Sequence, residues 1–105
     1  MKNVKILLML LLAIGITLSA KAADKVTIQL KWVTQAQFAG YYVAKDKGFY
    51  SDEGLSVTIK PGGPDIAPQQ VLAGGGADVI IDWMPSALAA REKGSPVVNL
   101  SLIHI

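Results

Sequence analysis

Residues 30–50 read LKWVTQAQFAGYYVAKDKGFY. The stretch closes a strand, crosses a short polar turn and opens a helix, and that succession decides the fold class. Six of the seven aromatic residues of the chain lie in it: Trp32, Phe38, Tyr41, Tyr42, Phe49 and Tyr50. A strand-to-helix turn carrying Trp, Gln and Tyr together is a suitable place to hold a flat, polar small molecule.

Upstream, Lys25–Lys31 (KVTIQLK) alternates, with Val26, Ile28 and Leu30 on one face and Thr27 and Gln29 on the other. A period of two predicts a strand. Phe38–Lys47 carries Phe38, Tyr41, Tyr42 and Lys45 at i, i+3, i+4 and i+7, which predicts a helix stopped by Gly48. An acidic turn, Ser51–Gly54, leads to a second alternating segment, Leu55–Lys60 (LSVTIK). The prolines and glycines of Pro61–Asp65 forbid regular structure. A short helix is expected over Ile66–Ala73, capped by Asp65 and with Pro68 in its first turn. Ala77–Asp82 (ADVIID) is almost unbroken apolar sequence, as in a strand covered on both faces. Ser86–Lys93 (SALAAREK) is rich in helix formers, with Pro85 near its start. Val97–Leu100 reads as the opening of a fourth strand.

The order βαβαβαβ predicts the α/β class, a parallel sheet with flanking helices and right-handed crossovers. In such sheets ligands bind beyond the carboxyl ends of the strands. Those ends are Trp32–Gln37, Pro61–Asp65 and Asp82–Ser86, all rich in Trp, Gly, Pro and polar residues. Two of them hold the two tryptophans of the chain, Trp32 and Trp83.

Composition excludes several classes. The 105 residues set a prior of one domain at most. There is no cysteine, and the one histidine, His104, is next to the C-terminus. Disulfide frameworks, thiol nucleophiles and Cys-based metal sites are ruled out, and zinc binding or a histidine relay is poorly provided for. No cofactor is expected. The net charge of +2 includes Lys2, Lys5 and Lys21. Without residues 1–22, seven basic residues face eight acidic ones, a balance of −1. No clustered positive face remains for nucleic acid.

Residues 1–22 read as a signal peptide. Lys2 and Lys5 form a basic start, Ile6–Leu18 an apolar run, and Ser19–Ala22 a small-residue cleavage site. The 13-residue run is shorter than the ~20 residues a membrane span needs. Cleavage after Ala22 is expected to leave a soluble exported chain, periplasmic in a two-membrane bacterium.

The blocks KWVTQAQFAGYYVAKDKGFY, EGLSVTIKPGG, LAGGGAD (Leu72–Asp78) and DWMPSALAAREKG resemble the NMT1/THI5-like (SsuA/THI5-like) group of periplasmic solute-binding proteins, from Val26 to about Asn99. The resemblance implies the binding component of an ABC importer for thiamine pyrimidine precursors or related compounds. It also implies two α/β lobes of the type II periplasmic-binding-protein fold, closing on ligand by a hinge. Residues 23–99 would be the N-terminal part of one lobe, a fragment of a longer protein. The partners implied are a small-molecule ligand and the permease and ATPase of the importer, with the binding protein a monomer. The tail Leu100–Ile105 (LSLIHI) matches the translation of a common transposase sequencing adapter and is expected to be an artefact, against the reading as a natural strand.

Nine residues are candidates for ligand contact. Trp32 and Trp83 could stack on a heteroaromatic ring or pack the lobe. Gln35 and Gln37 could pair with ring nitrogens or an amino group, or cap a helix. Tyr41 and Tyr42 point about 100° apart, so at most one faces the cleft squarely while the other packs. Gly62 and Gly63 could admit a ligand close to the backbone or form a tight turn. Asp82 could pair with an amino-bearing ligand or cap the helix near Pro85. Lys45, Asp46, Lys47, Arg91, Glu92 and Lys93 read as solvated surface. The leading function is ligand capture without catalysis. The alternative is a pyrimidine synthase, since eukaryotic members of the group make the thiamine pyrimidine from a pyridoxal cofactor and a histidine with iron; a receptor sensor domain is a third reading.

Overall fold

A computed structural model describes residues 21–101. The signal-peptide run Ile6–Leu18 and residues 102–105 of the tail lie outside the described residues.

Three parallel strands form one sheet, in the order β2-β1-β3. The central strand is β1 (Asp24–Gln29), paired in full with β2 (Leu55–Lys60), from Asp24 opposite Leu55 to Gln29 opposite Lys60. On its other side Ile28 and Gln29 pair with Val79 and Ile80 of β3 (Val79–Ile80). Four helices connect and flank the strands: α1 (Ala39–Asp46), α2 (Phe49–Asp52), α3 (Pro68–Ala73) and α4 (Met84–Glu92). This is the expected α/β architecture, compatible with part of one lobe of a periplasmic-binding-protein-like fold.

The core forms where the alternating faces of β1 and β2 meet the aromatic face of α1. Ile28, Leu30, Phe38 and Val57 are buried, and Val26, Tyr41, Tyr42, Tyr50, Leu55 and Ile59 pack against them. Gln29, expected on the polar face of β1, is only 3% exposed. A central strand is covered on both faces, so the amide is paired instead of solvated: its Nε2 donates to the carbonyls of Leu30 (3.0 Å) and Pro61 (3.1 Å).

Several element boundaries differ from expectation. The helix expected from Phe38 is a single 3₁₀ turn, Ala36–Phe38, followed by α1 from Ala39. Gly48 takes the left-handed conformation (φ 79°) that ends α1, as expected, but the chain then makes α2 where an acidic turn was expected. The Ser51 hydroxyl and the Asp52 amide both donate to the Gly48 carbonyl, which closes that extra turn. The third helix begins at Pro68, not Ile66, and no side chain caps it. Asp65 belongs to the preceding turn, where the Ile66 amide bonds the Gly63 carbonyl. Helix α4 starts at Met84, two residues early, with Pro85 in the first turn, where its missing N–H costs nothing. The fourth strand does not form: 97–100 is irregular, and Val98 is 73% exposed. Good strand formers stay unpaired when no neighbouring strand supplies a ladder and a cover.

Candidate functional site

The strand order places a topological switch point between β1 and β3. The chain leaves β1 for β2 on one side, then crosses to β3 on the other, and in open parallel sheets it is beyond the strand ends at such a point that ligands bind. Beyond the paired residues Ile28–Val79 and Gln29–Ile80, the chain brings Lys31 against Asp82 and Trp83. Lys31, next to Trp32, thus meets the Asp82-Trp83 pair past the strand ends.

Their contacts are specific. The Lys31 ammonium lies 2.9 Å from Asp82 Oδ1, with side chains only 16% and 4% exposed respectively. It also sits 5.1 Å from the centre of the Trp83 ring, within cation–π range. Asp82 Oδ1 accepts the Trp83 amide (2.8 Å), and Oδ2 accepts Gln69 Nε2 from α3. The carboxylate thus ties β1, α3 and the start of α4 together. Among the described residues no buried side-chain nitrogen or oxygen lacks a partner.

Of the nine sequence candidates, Trp32, Gln35, Gln37, Asp82, Trp83 and the two glycines lie in the segments that follow the strands. Trp83 is 61% exposed and offers an open ring face, whereas Trp32 is half-buried with one part packed on the core. Gln35 and Gln37 are exposed and bonded to each other, Gln37 Nε2 to Gln35 Oε1 (3.1 Å), an amide pair free to turn toward a ligand. Tyr41 and Tyr42 are both half-buried against the core cluster, on α1. Burial, and secondarily Tyr50, raises the Tyr41 phenol above its ordinary value, as burial does for Tyr50 itself. Gly62 donates its amide to the Trp32 carbonyl (3.0 Å), and a Cβ there would strike the backbone of Leu30, Lys31 and Trp32. Its missing side chain lets the β2 loop press on the end of β1. Gly63 is buried, with open space where a Cβ would stand.

Sequence reading passed over Lys31 and Gln69. Lys31 was visible in one respect: a Lys-Trp and an Asp-Trp pair each close an apolar strand, and parallel neighbours bring such ends together. Gln69 had no comparable signal. Two open surface depressions among the described residues lie elsewhere, one along Tyr42, Val43, Lys45 and Asp46 of α1 and one beside Tyr50 and Leu55 near the start of β2. They are shallow and away from the switch point.

The fold is of the α/β class, with these residues gathered past the carboxyl ends of a parallel sheet. The family described as NMT1/THI5 like matches residues 35–104, and the chain belongs to it. Among curated proteins, it is 32% identical to the formylaminopyrimidine-binding protein of Halalkalibacterium halodurans over 83 residues, 79% of this chain and 25% of that protein. It is 29% identical to a putative thiamine biosynthesis protein of Haemophilus influenzae over 86 residues, 81% of this chain and 27% of that one. It is 28% identical to a 4-amino-5-hydroxymethyl-2-methylpyrimidine phosphate synthase of Uromyces fabae over 83 residues, 78% of this chain and 24% of the enzyme. The chain thus spans about a quarter of the length of these relatives. No solved structure matches it. Among the described residues no helix is long and apolar enough to cross a membrane.

Proposed function

We propose that the chain is part of the binding component of an ABC importer, which captures a thiamine pyrimidine precursor or a similar small heteroaromatic compound. The observation that carries this reading is the contact of Lys31, beside Trp32, with Asp82 and Trp83 at the switch point of a parallel sheet. Indole faces supply dispersion to a flat ring. The exposed amides of Gln35 and Gln37 supply a donor and an acceptor each for ring nitrogens or an amino group. Gly62 and Gly63 shape the floor, and Tyr41 and Tyr42 back it from the core side. Asp82 acts through Lys31 and Trp83, since three donors already occupy its oxygens. The similarity to a formylaminopyrimidine-binding protein supports the same reading.

On this reading residues 1–22 direct export, the mature protein works in the periplasm as a monomer, and a second lobe outside this sequence closes over the ligand and presents the closed form to the permease. The second reading is a pyrimidine synthase, favoured by the names of the fungal relatives. Calorimetric titration of the full-length protein with 4-amino-5-hydroxymethyl-2-methylpyrimidine and its formylamino analogue separates the two. Saturable binding without turnover is expected. Pyrimidine formed on incubation with pyridoxal phosphate and iron would overturn the importer reading in favour of the synthase.

A further inference from the structure

The strand ends hold the ingredients of an anion site, and all of them are already in use. Lys31 supplies an ammonium, the nine-residue helix α4 supplies a free amide at its N-terminus, and Gln69 supplies an amide N–H. Such a set would ordinarily receive the phosphate or carboxylate of a ligand. Here it converges on the Asp82 carboxylate. Lys31 Nζ lies 2.9 Å from Oδ1, the Trp83 amide donates to Oδ1 at 2.8 Å, and Gln69 Nε2 donates to Oδ2. The carboxylate is 96% withdrawn from solvent, so it is a fixed part of the wall and not a mobile surface group. The other cation at a strand end, Lys60, is directed to the Gly76 carbonyl oxygen at 2.8 Å. The charged residue of the neighbouring loop, Asp65, is negative and exposed.

We propose that Asp82 is a specificity-determining residue: an internal anion that fills the place a ligand's anionic group would take, so that this wall accepts uncharged planar compounds and rejects their phosphate esters. The inference rests on the ligand-binding reading above and deepens it. Two features make the wall selective. A phosphate brought to it finds the Lys31 ammonium already neutralised by the Asp82 carboxylate behind it. A neutral ring meets the exposed face of Trp83, whose indole is steadied from behind by the Lys31 ammonium. Asp82 is a positioning residue for Lys31 and Trp83 and does not itself touch the ligand.

The test compares affinities of the full-length protein for 4-amino-5-hydroxymethyl-2-methylpyrimidine and its phosphate monoester. The wild type binds the alcohol more tightly. Asp82→Asn keeps the shape and one acceptor oxygen, for the Trp83 amide; its Nδ2 faces Gln69, whose amide turns over to accept, and the change frees the Lys31 charge. It narrows or reverses the preference by roughly tenfold or more, the size of one released ion–ion attraction at a partly screened distance. A parallel tryptophan-fluorescence titration with inorganic phosphate needs no pyrimidine binding. Asp82→Asn gains phosphate-dependent quenching, and the added Lys31→Met change removes it. The doubly neutral Lys31→Met/Asp82→Leu variant guards against a fold that does not tolerate one unpaired partner, and it shows no phosphate-dependent quenching. A wild type that prefers the phosphate ester, or an Asp82→Asn protein that is folded yet unchanged toward the alcohol, its ester and inorganic phosphate, overturns the proposal. If neither pyrimidine binds the wild type, the pyrimidine reading falls, and the inorganic phosphate titration alone decides the role of Asp82.

Discussion

Substitution of Gly62 by alanine tests how the crevice floor is built. Gly62 follows β2, and its amide donates to the Trp32 carbonyl at 3.0 Å, beyond the last paired residues of β1. A Cβ on Gly62 would stand 2.5 Å from the Lys31 carbonyl carbon and 2.7 Å from the Trp32 nitrogen, with the Leu30 carbonyl oxygen closer still. All three are backbone atoms, so no rotamer change relieves the clash. The φ of Gly62 is not positive, so the cost is steric and not conformational. Overpacking of this kind costs about 1–3 kcal/mol. Losing or bending the Gly62–Trp32 hydrogen bond adds about 1 kcal/mol. Gly62→Ala is therefore expected to destabilise the fold by roughly 2–4 kcal/mol, and in a unit of this size each kcal/mol lowers the melting temperature by about 4–8 °C. Gly63→Ala is the control, because nothing lies within 4 Å of its Cβ position. Its effect is expected to stay within about 0.5 kcal/mol. Thermal and urea denaturation of both variants, followed by circular dichroism, provides the measurement. Equal stabilities would refute the close approach of the β2 loop to β1, and with it the crevice floor described above.

Three further outcomes are expected. Leu30, fully buried at the end of β1, should cost about 2–5 kcal/mol when replaced by alanine, read from the urea midpoint; a loss below 1 kcal/mol would mean that the core does not close over this residue. Trp32→Ala in the complete protein should weaken pyrimidine binding by more than ~1 kcal/mol. Lowered stability at unchanged affinity would assign the ring to the core alone. The phenols of Tyr41 and Tyr50 titrate above the ordinary tyrosine value of 10.0, Tyr41 through burial first and its neighbour second. The folded chain holds these protons more tightly than the unfolded one, so their contribution to stability is complete below pH 10 and is lost as pH rises through the raised folded values. Absorbance at 295 nm should report that late ionisation, and Tyr41→Phe should reduce the alkaline loss of stability; an unchanged alkaline midpoint would sink this account.

Sequence alone determined the α/β class and the parallel sheet, because these rest on local properties: a period of two in KVTIQLK and LSVTIK, an unbroken apolar run in ADVIID, and Gly and Pro between them. Gly48 and Pro85 were legible for the same reason, since each acts on its own backbone. The extent of ADVIID was not legible. Only Val79 and Ile80 keep strand pairing, because the length of a strand depends on what its neighbour offers. The same dependence left 97–100 without a ladder.

The tertiary structure decided what the strand-end residues do to one another. Asp82 read as a ligand partner or a helix cap, and Lys31 as the unremarked end of a strand. The β1–β3 register sets them side by side, where the low accessibility of the pair makes their mutual attraction far stronger than that of exposed charges. Gly62 read as a possible ligand contact until the approach of β1 to the loop after β2 showed backbone where a side chain would be. A sequence records the types of residue along one strand end. Which charge is cancelled, which ring stays open and which glycine is compulsory depend on a partner about 30 to 50 residues away, and only the sheet brings those partners within a few ångströms.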